Sequence, residues 1–135
     1  MSAELLYAEI YRKLLVVIPD LLTIDGAGRS KVKGLKTLNL NVISRSPSRL
    51  KISLSRYYKN SLGKDIPDPD VAIAVYPTSH IAEVWEYMNV KGLTSVYSLD
   101  GSWVDIFAKR HLNKCLNNWL GDLIAQGHVI KTRIG

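Results

Sequence analysis

Between residues 3 and 18 the apolar side chains Leu6, Ile10, Leu14, Val17 and Ile18 recur at helical spacing, while Glu9, Arg12 and Lys13 fall on the other side. This predicts an amphipathic helix. Ser2 is placed to cap its start, and Pro19 ends it because the residue before a proline is pushed out of the α region. Residues 23–30 (Thr-Ile-Asp-Gly-Ala-Gly-Arg-Ser) are rich in turn formers and read as a loop. The period then changes to two. Leu38, Leu40 and Val42 alternate with Asn39 and Asn41, and Leu50, Ile52 and Leu54 alternate with Lys51, Ser53 and Ser55, which predicts two half-buried strands. Ser46-Pro47-Ser48 between them has turn composition, so residues 37–58 form a hairpin. With Pro47 at the tip, Arg45 faces Arg49, Ile43 faces Lys51, Asn41 faces Ser53 and Asn39 faces Ser55.

A polar loop over 59–70 precedes strands at 71–76 and 80–88, joined by Pro77-Thr78-Ser79. Ile81, Val84 and Trp85 break the alternation, which implies a bulge or a strand buried on both faces. Residues 93–98 supply a fifth strand. From Ser102 onward Val104, Ala108, Leu112, Cys115, Leu116, Trp119, Leu120 and Leu123 form one stripe, and Asp105, Lys109, Asn113, Asn117 and Asp122 form the opposite one. Ser102 and Asp105 stand at capping-box spacing, and Gly127 stands at a C-terminal αL cap. The expected fold class is α+β: an antiparallel sheet of about five strands with the N-terminal and C-terminal helices packed on one face, and residues 1–135 as a single domain.

The 135 residues, 47% of them hydrophobic, suffice for one core. No apolar run approaches the roughly 20 residues of a membrane-spanning helix. Glu4 stands where a secretory signal would carry a cation, and the single cysteine, Cys115, excludes an intrachain disulfide and a multi-cysteine zinc motif. These features lead to the expectation of a cytoplasmic protein without membrane contact.

Charge adds the first functional hint. From Arg29 to Lys64 the chain has ten Lys or Arg and no Asp or Glu, so the formal excess of +6 resides in one segment and the remainder is net negative. Concentrated charge of one sign repels itself unless an anionic partner relieves it. The expectation is a non-catalytic binding or accessory domain in which Arg45, Arg49, Lys51, Arg56 and Lys59 contact the phosphates of nucleic acid or the carboxylates of an acidic protein. Tyr57 or Tyr58, beside Arg56 and Lys59, would stack on bases. Three other readings stay open: lysines that only discourage edge-to-edge aggregation, a module that self-associates as a homodimer with its charge serving solubility, and an enzyme acting on a small anionic substrate.

No catalytic set, metal site or cofactor motif emerges. Gly26-Ala27-Gly28-Arg29-Ser30-Lys31 has the wrong glycine spacing for a Walker loop and leads towards a strand. His111 and Cys115 share one helical face, where a packed thiol beside a half-exposed histidine is the simplest reading. Asp65, Asp68 and Asp70 are stiffened by two prolines and lack the glycine of an EF-hand loop. Glu83 and Glu86 are three apart in a strand and so face opposite sides. Trp85, Trp103 and Trp119 read as core or core-edge packing.

The C-terminal helix carries Lys109, Asn113, Leu116, Trp119, Leu120 and Gly127, a K-x-x-x-N-x-x-L-x-x-W-L run ending in glycine. In this run the chain resembles the YqiB-like bacterial family, a domain of unknown function. Leu14, Leu15, Pro19, Pro67, Tyr76 and Ala82-Glu83-Val84 are similar as well. The resemblance implies a small cytoplasmic α+β domain, supplies no activity, and marks Tyr76, Glu83, Lys109 and Asn113 as family-matched polar positions. In the family an Asp-Glu pair directly precedes the lysine, where this chain has Phe107 and Ala108. The family's Tyr-His-Asp segment is here Tyr76-Pro77-Thr78.

Overall fold

The computed structural model describes residues 2–131. Ser2 Oγ accepts the Leu5 amide at 3.2 Å and opens α1 (Ala3–Val17), whose Leu6, Ile10, Leu14 and Val17 are buried as the spacing predicts. The chain then builds β1 (Ala27–Ser30), β2 (Leu38–Arg45), β3 (Leu50–Lys59), β4 (Asp65–Tyr76), β5 (Ile81–Asn89) and β6 (Gly92–Ser95) before α2 (Ile106–Ala125). The six strands pair antiparallel in sequence order, a meander with β1 and β6 at its edges. This is the α+β fold expected from the sequence, with one strand more. Leu38, Leu40, Leu50, Ile52, Leu54, Val71, Ile73, Val75, Ala82 and Val84 project from one face of the sheet and form a single core with the apolar stripes of α1 and α2. Among the described residues no helix lies on the other face.

The additional strand, β1, lies in the predicted loop. Gly28 makes it possible: a Cβ there would stand 2.7 Å from Ile130 Cγ2, so the glycine lets the C-terminal segment cross beneath the strand. The predicted 59–70 loop is also mostly strand. Asn60 Oδ1 accepts the amides of Leu62 and Lys64, and Gly63 adopts φ 77°, so the chain reverses within a few residues and β4 begins at Asp65.

The hairpin register corrects two of the four predicted pairs. Pro47 and Ser48 together form the turn, with the Ser46 amide on the Arg49 carbonyl at 2.8 Å, so Arg45 pairs with Leu50 and Ser44 with Lys51. An extra residue, Ile43, then bulges out of β2 and restores the expected Asn41–Ser53 and Asn39–Ser55 pairs. The bulge also turns Arg45 to the opposite face from Arg49. The predicted disturbance around Trp85 is a bulge too: Ala72 pairs with Glu86 and Ile73 with Val84, leaving Trp85 as the surplus residue of β5.

Asp105, not Ser102, caps α2, accepting the Ala108 amide at 3.0 Å. Ser102 instead donates to Asp100, whose carboxyl is held down at about 2 by hydrogen bonds from Ser102 and Ser98. At the far end Gly127 has φ 87°. The His128 amide reaches the Leu123 carbonyl and the Gly127 amide reaches that of Ile124, both at 3.0 Å, which completes the αL termination read from the sequence.

His128 is buried at this junction, with Nδ1 3.0 Å from Ser30 Oγ and, among the described residues, no partner for Nε2. Burial, and then the nearby Arg56 cation, lower its pKa below the ordinary 6.5. Below that value the unfolded chain binds a proton that the folded one resists, so folding stability declines as pH falls through 6.5 towards the depressed folded value. Urea titrations at neutral and mildly acidic pH should show this decline, and His128→Gln should flatten it. An unchanged pH slope in the variant would assign the acid sensitivity to other groups.

Candidate functional site

The bare face of the sheet takes its side chains by simple alternation. Arg29, Asn39, Ser55 and Asp70 form one row across β1 to β4, and Ala27, Asn41, Ser53, Ala72 and Glu86 form the next, across β1 to β5. Beyond them Lys51, Ala74 and Glu83 form a third. Small residues occupy the middle, and the aromatic rings lie towards the margins. Trp85 carries Lys51 Nζ at 4.4 Å and Arg49 Cζ at 4.8 Å from its ring centroid, and its ring meets that of Tyr97 at 4.7 Å. Tyr57, 37% exposed, gives its hydroxyl to Asp70, which also accepts from Ser53 Oγ at 2.8 Å. That hydrogen bond, followed by burial, raises the Tyr57 phenol to about 12.

The five cations expected to share one surface are divided among several places. Arg49 and Lys51 stay together on Trp85. Arg45, turned by the Ile43 bulge, donates to the carbonyls of Leu22 and Ile24. Arg56 follows the alternation of Ile52 and Leu54 to the helical face, where its guanidinium lies 5.6 Å from the Trp119 ring centroid. Lys59 is bound to Asp65 at 2.9 Å. The two tyrosines divide likewise: Tyr57 faces outward, while Tyr58 turns to the helical side beneath Lys36, itself 3.7 Å from Asp68. Thus Asp65 and Asp68 neutralise part of the basic segment and Asp70 orders Tyr57.

The four polar residues that the sequence resemblance marks, Tyr76, Glu83, Lys109 and Asn113, do converge. Lys109 Nζ donates to Tyr97 Oη at 2.8 Å and lies 3.5 Å from Glu83 Oε1, and the Tyr97 hydroxyl donates to the same carboxylate. The Tyr7 ring of α1 lies 5.5 Å from the ammonium. Asn113 is fully buried, although its helical phase predicts the polar stripe. Its Oδ1 accepts the Val84 amide at 2.8 Å, and its Nδ2 donates to the Lys109 carbonyl at 2.7 Å. Tyr76 borders this group, its phenol raised first by burial and then by the Glu83 charge. Asn117, also predicted polar, is buried as well; its backbone carbonyl accepts from Lys13 of α1 at 3.1 Å, and its side-chain Oδ1 has no partner among the described residues.

These four positions therefore form a junction in which α1, β5 and α2 meet. Burial works against the Lys109 ammonium, but the Tyr97 hydrogen bond and the Glu83 charge outweigh it and hold its pKa above the ordinary value. Burial and Glu83 raise Tyr97 to about 12. Near neutrality both groups keep their protons, so neither supplies a base or a nucleophile. The network joins the three elements. Elsewhere, Cys115 Sγ lies 3.6 Å from His111 Nε2, with Phe107 stacked on the imidazole at 6.2 Å. Among the described residues no cluster of His, Cys, Asp or Glu is suited to hold a metal ion.

Half-buried Trp85 agrees with core-edge packing, but sequence reasoning did not place it on the outer face of the sheet, and it missed Tyr97 altogether. The broken alternation at residues 84 and 85 was the available signal for the first, because a bulge re-aims a side chain. Nothing local announces Tyr97, whose partners come from β5 and α2.

The described residues thus form a small α+β domain with two helices on one face of a six-stranded antiparallel meander and no helix among them on the opposite face. The chain belongs to the family described as Protein of unknown function (DUF1249), which matches residues 13–129. No curated protein and no solved structure matches it. Among the described residues no helix is long and apolar enough to cross a membrane.

Proposed function

We propose that the domain is a non-catalytic binding module that engages an anionic partner, nucleic acid or an acidic protein surface, through the bare face of its sheet. The observation that carries this reading is the Arg49–Lys51 pair on Trp85: two cations with no ion pair among the described residues, held on an aromatic ring beside small polar side chains. The proposal narrows the basic hairpin to these two cations, since Arg45, Arg56 and Lys59 are engaged elsewhere. It retains the likeness to the YqiB-like bacterial proteins and a cytoplasmic setting, both suggested by the sequence.

Binding of this kind weakens steeply with salt because each neutralised anionic group releases counterions. Fluorescence titration with an oligonucleotide and with an acidic peptide, each at two ionic strengths, should give salt-sensitive affinity for one of them. The Arg49→Ala/Lys51→Ala variant should bind it about tenfold more weakly. No binding of either probe at low salt would end this reading. One observation favours self-association as the second reading: Leu93, Leu99, Trp103, Ile106 and Phe107 are exposed at or near the start of α2, Phe107 to 81%. A dimer of salt-indifferent affinity in sedimentation of the same samples would transfer the proposal there.

A further inference from the structure

A second group of cations lies apart from the Trp85 pair, at the β1 edge. The segment after α2 is tied down by the Ile130 amide on the Val17 carbonyl at 2.7 Å and the Val129 amide on Ser30 Oγ at 3.1 Å. It carries Lys131 to the edge strand. There Lys131, Arg29 and Lys31 line a depression of about 720 Å3 together with Gly28, Asn39 and Asn41, and no carboxylate lies in its wall. None of the three cations has an ion pair among the described residues. The backbone contributes donors too. Since the Val42 amide bonds the Gly26 carbonyl at 2.7 Å, ladder alternation turns the amides of Ala27 and Arg29 to the free edge.

We propose that this depression is a phosphate-binding site and that the anionic partner is a single-stranded nucleic acid. The inference rests on the bare sheet face being the binding surface. One phosphate sits among Arg29, Lys31 and Lys131, and the Asn39 and Asn41 amides offer paired donors and acceptors suited to a base edge. Tyr57 is the next outward residue after Ser55 in the Arg29–Asn39–Ser55 row. Two strand spacings and one step along β3 place it about 12 Å from Arg29. Its hydrogen bond to Asp70 fixes the exposed ring as a stacking platform. A duplex would hide the faces such a ring stacks on, and an acidic peptide has no use for it.

The test compares oligothymidylate of about 12 residues, oligoglutamate and tripolyphosphate on the wild-type chain, on Arg29→Gln/Lys31→Gln/Lys131→Gln and on Tyr57→Ala, with circular dichroism to verify folding. Oligothymidylate should bind the wild type. The triple variant should weaken binding and lower the slope of log K against log salt by about 0.7, the share of the one phosphate it holds on a single strand. Tyr57→Ala should weaken binding about tenfold with the slope unchanged. Oligothymidylate binding indifferent to the triple variant would remove the site but leave the sheet-face reading. Binding of oligoglutamate alone would also leave that reading and refute the nucleic acid. Full competition by tripolyphosphate with no effect of Tyr57→Ala would reduce the site to one for free oxyanions. Binding of none of the three probes would sink both proposals.

Discussion

Replacing Asn113 with alanine is expected to destabilise the fold by about 2–3 kcal/mol, more than any exposed change on the sheet. The Asn113 side chain is fully buried and spans two elements: Oδ1 satisfies the Val84 amide on β5, and Nδ2 returns to the Lys109 carbonyl on its own helix. Val84 immediately precedes the bulged Trp85, where β5 departs from regular pairing with β4. Deleting the amide leaves a buried N–H without a partner and a small void, and both effects have the same sign. Urea denaturation gives the total. Hydrogen exchange gives the location, because the Val84 amide should lose protection beyond the global change. Stability within about 0.5 kcal/mol of the wild type would mean that water or a backbone shift replaces the side chain, and that Asn113 is not the tie between α2 and β5.

That residue also marks where sequence reading reached its limit. Periodicity located both helices and most of the strands, because the core stripes of α1 and the alternation of β2 and β3 record burial directly. It also assigns Arg56 to the helical face, since Arg56 is five residues from Lys51 and follows Ile52 and Leu54 in phase. A count of cations along the segment discards that information. Arg45 is different. Its face depends on the surplus Ile43 and on a two-residue turn, each of which reverses parity, and neither has a compositional signature. The depression at the β1 edge was illegible for another reason. Lys131 is about a hundred residues from Arg29, and only the termination of α2 at Gly127 and the close passage of Ile130 over Gly28 bring them together. Asn113 and Asn117 were assigned to the polar stripe by helical phase alone. Phase cannot say that the amide beside a β-bulge requires a buried partner, as Asn113 supplies to Val84.

The Lys109→Met variant should cost about 2 kcal/mol, and adding Glu83→Gln should cost less than the sum of the two single changes. The pair is only partly desolvated, with side-chain exposures of 29% for Lys109 and 12% for Glu83, so the penalty for a deserted partner is reduced from that of a deeply buried ion. The direction is still set by Glu83, which keeps the Tyr97 hydroxyl but loses its cation. The pH dependence identifies the network more specifically than the magnitude does. With its folded pKa raised above 10.5, Lys109 contributes fully below that value and is lost as pH climbs through the folded one. Tyr97, moved from 10.0 to about 12, adds a decline in the same direction, because the unfolded phenol ionises first. The wild type should therefore lose stability from about pH 10 upward. In Lys109→Met the lysine's share of that decline disappears while the neutral-pH stability is already lower. Equal alkaline slopes in wild type and variant, or full additivity of the two substitutions, would show that Lys109, Glu83 and Tyr97 do not act as one unit and that their convergence calls for a different explanation.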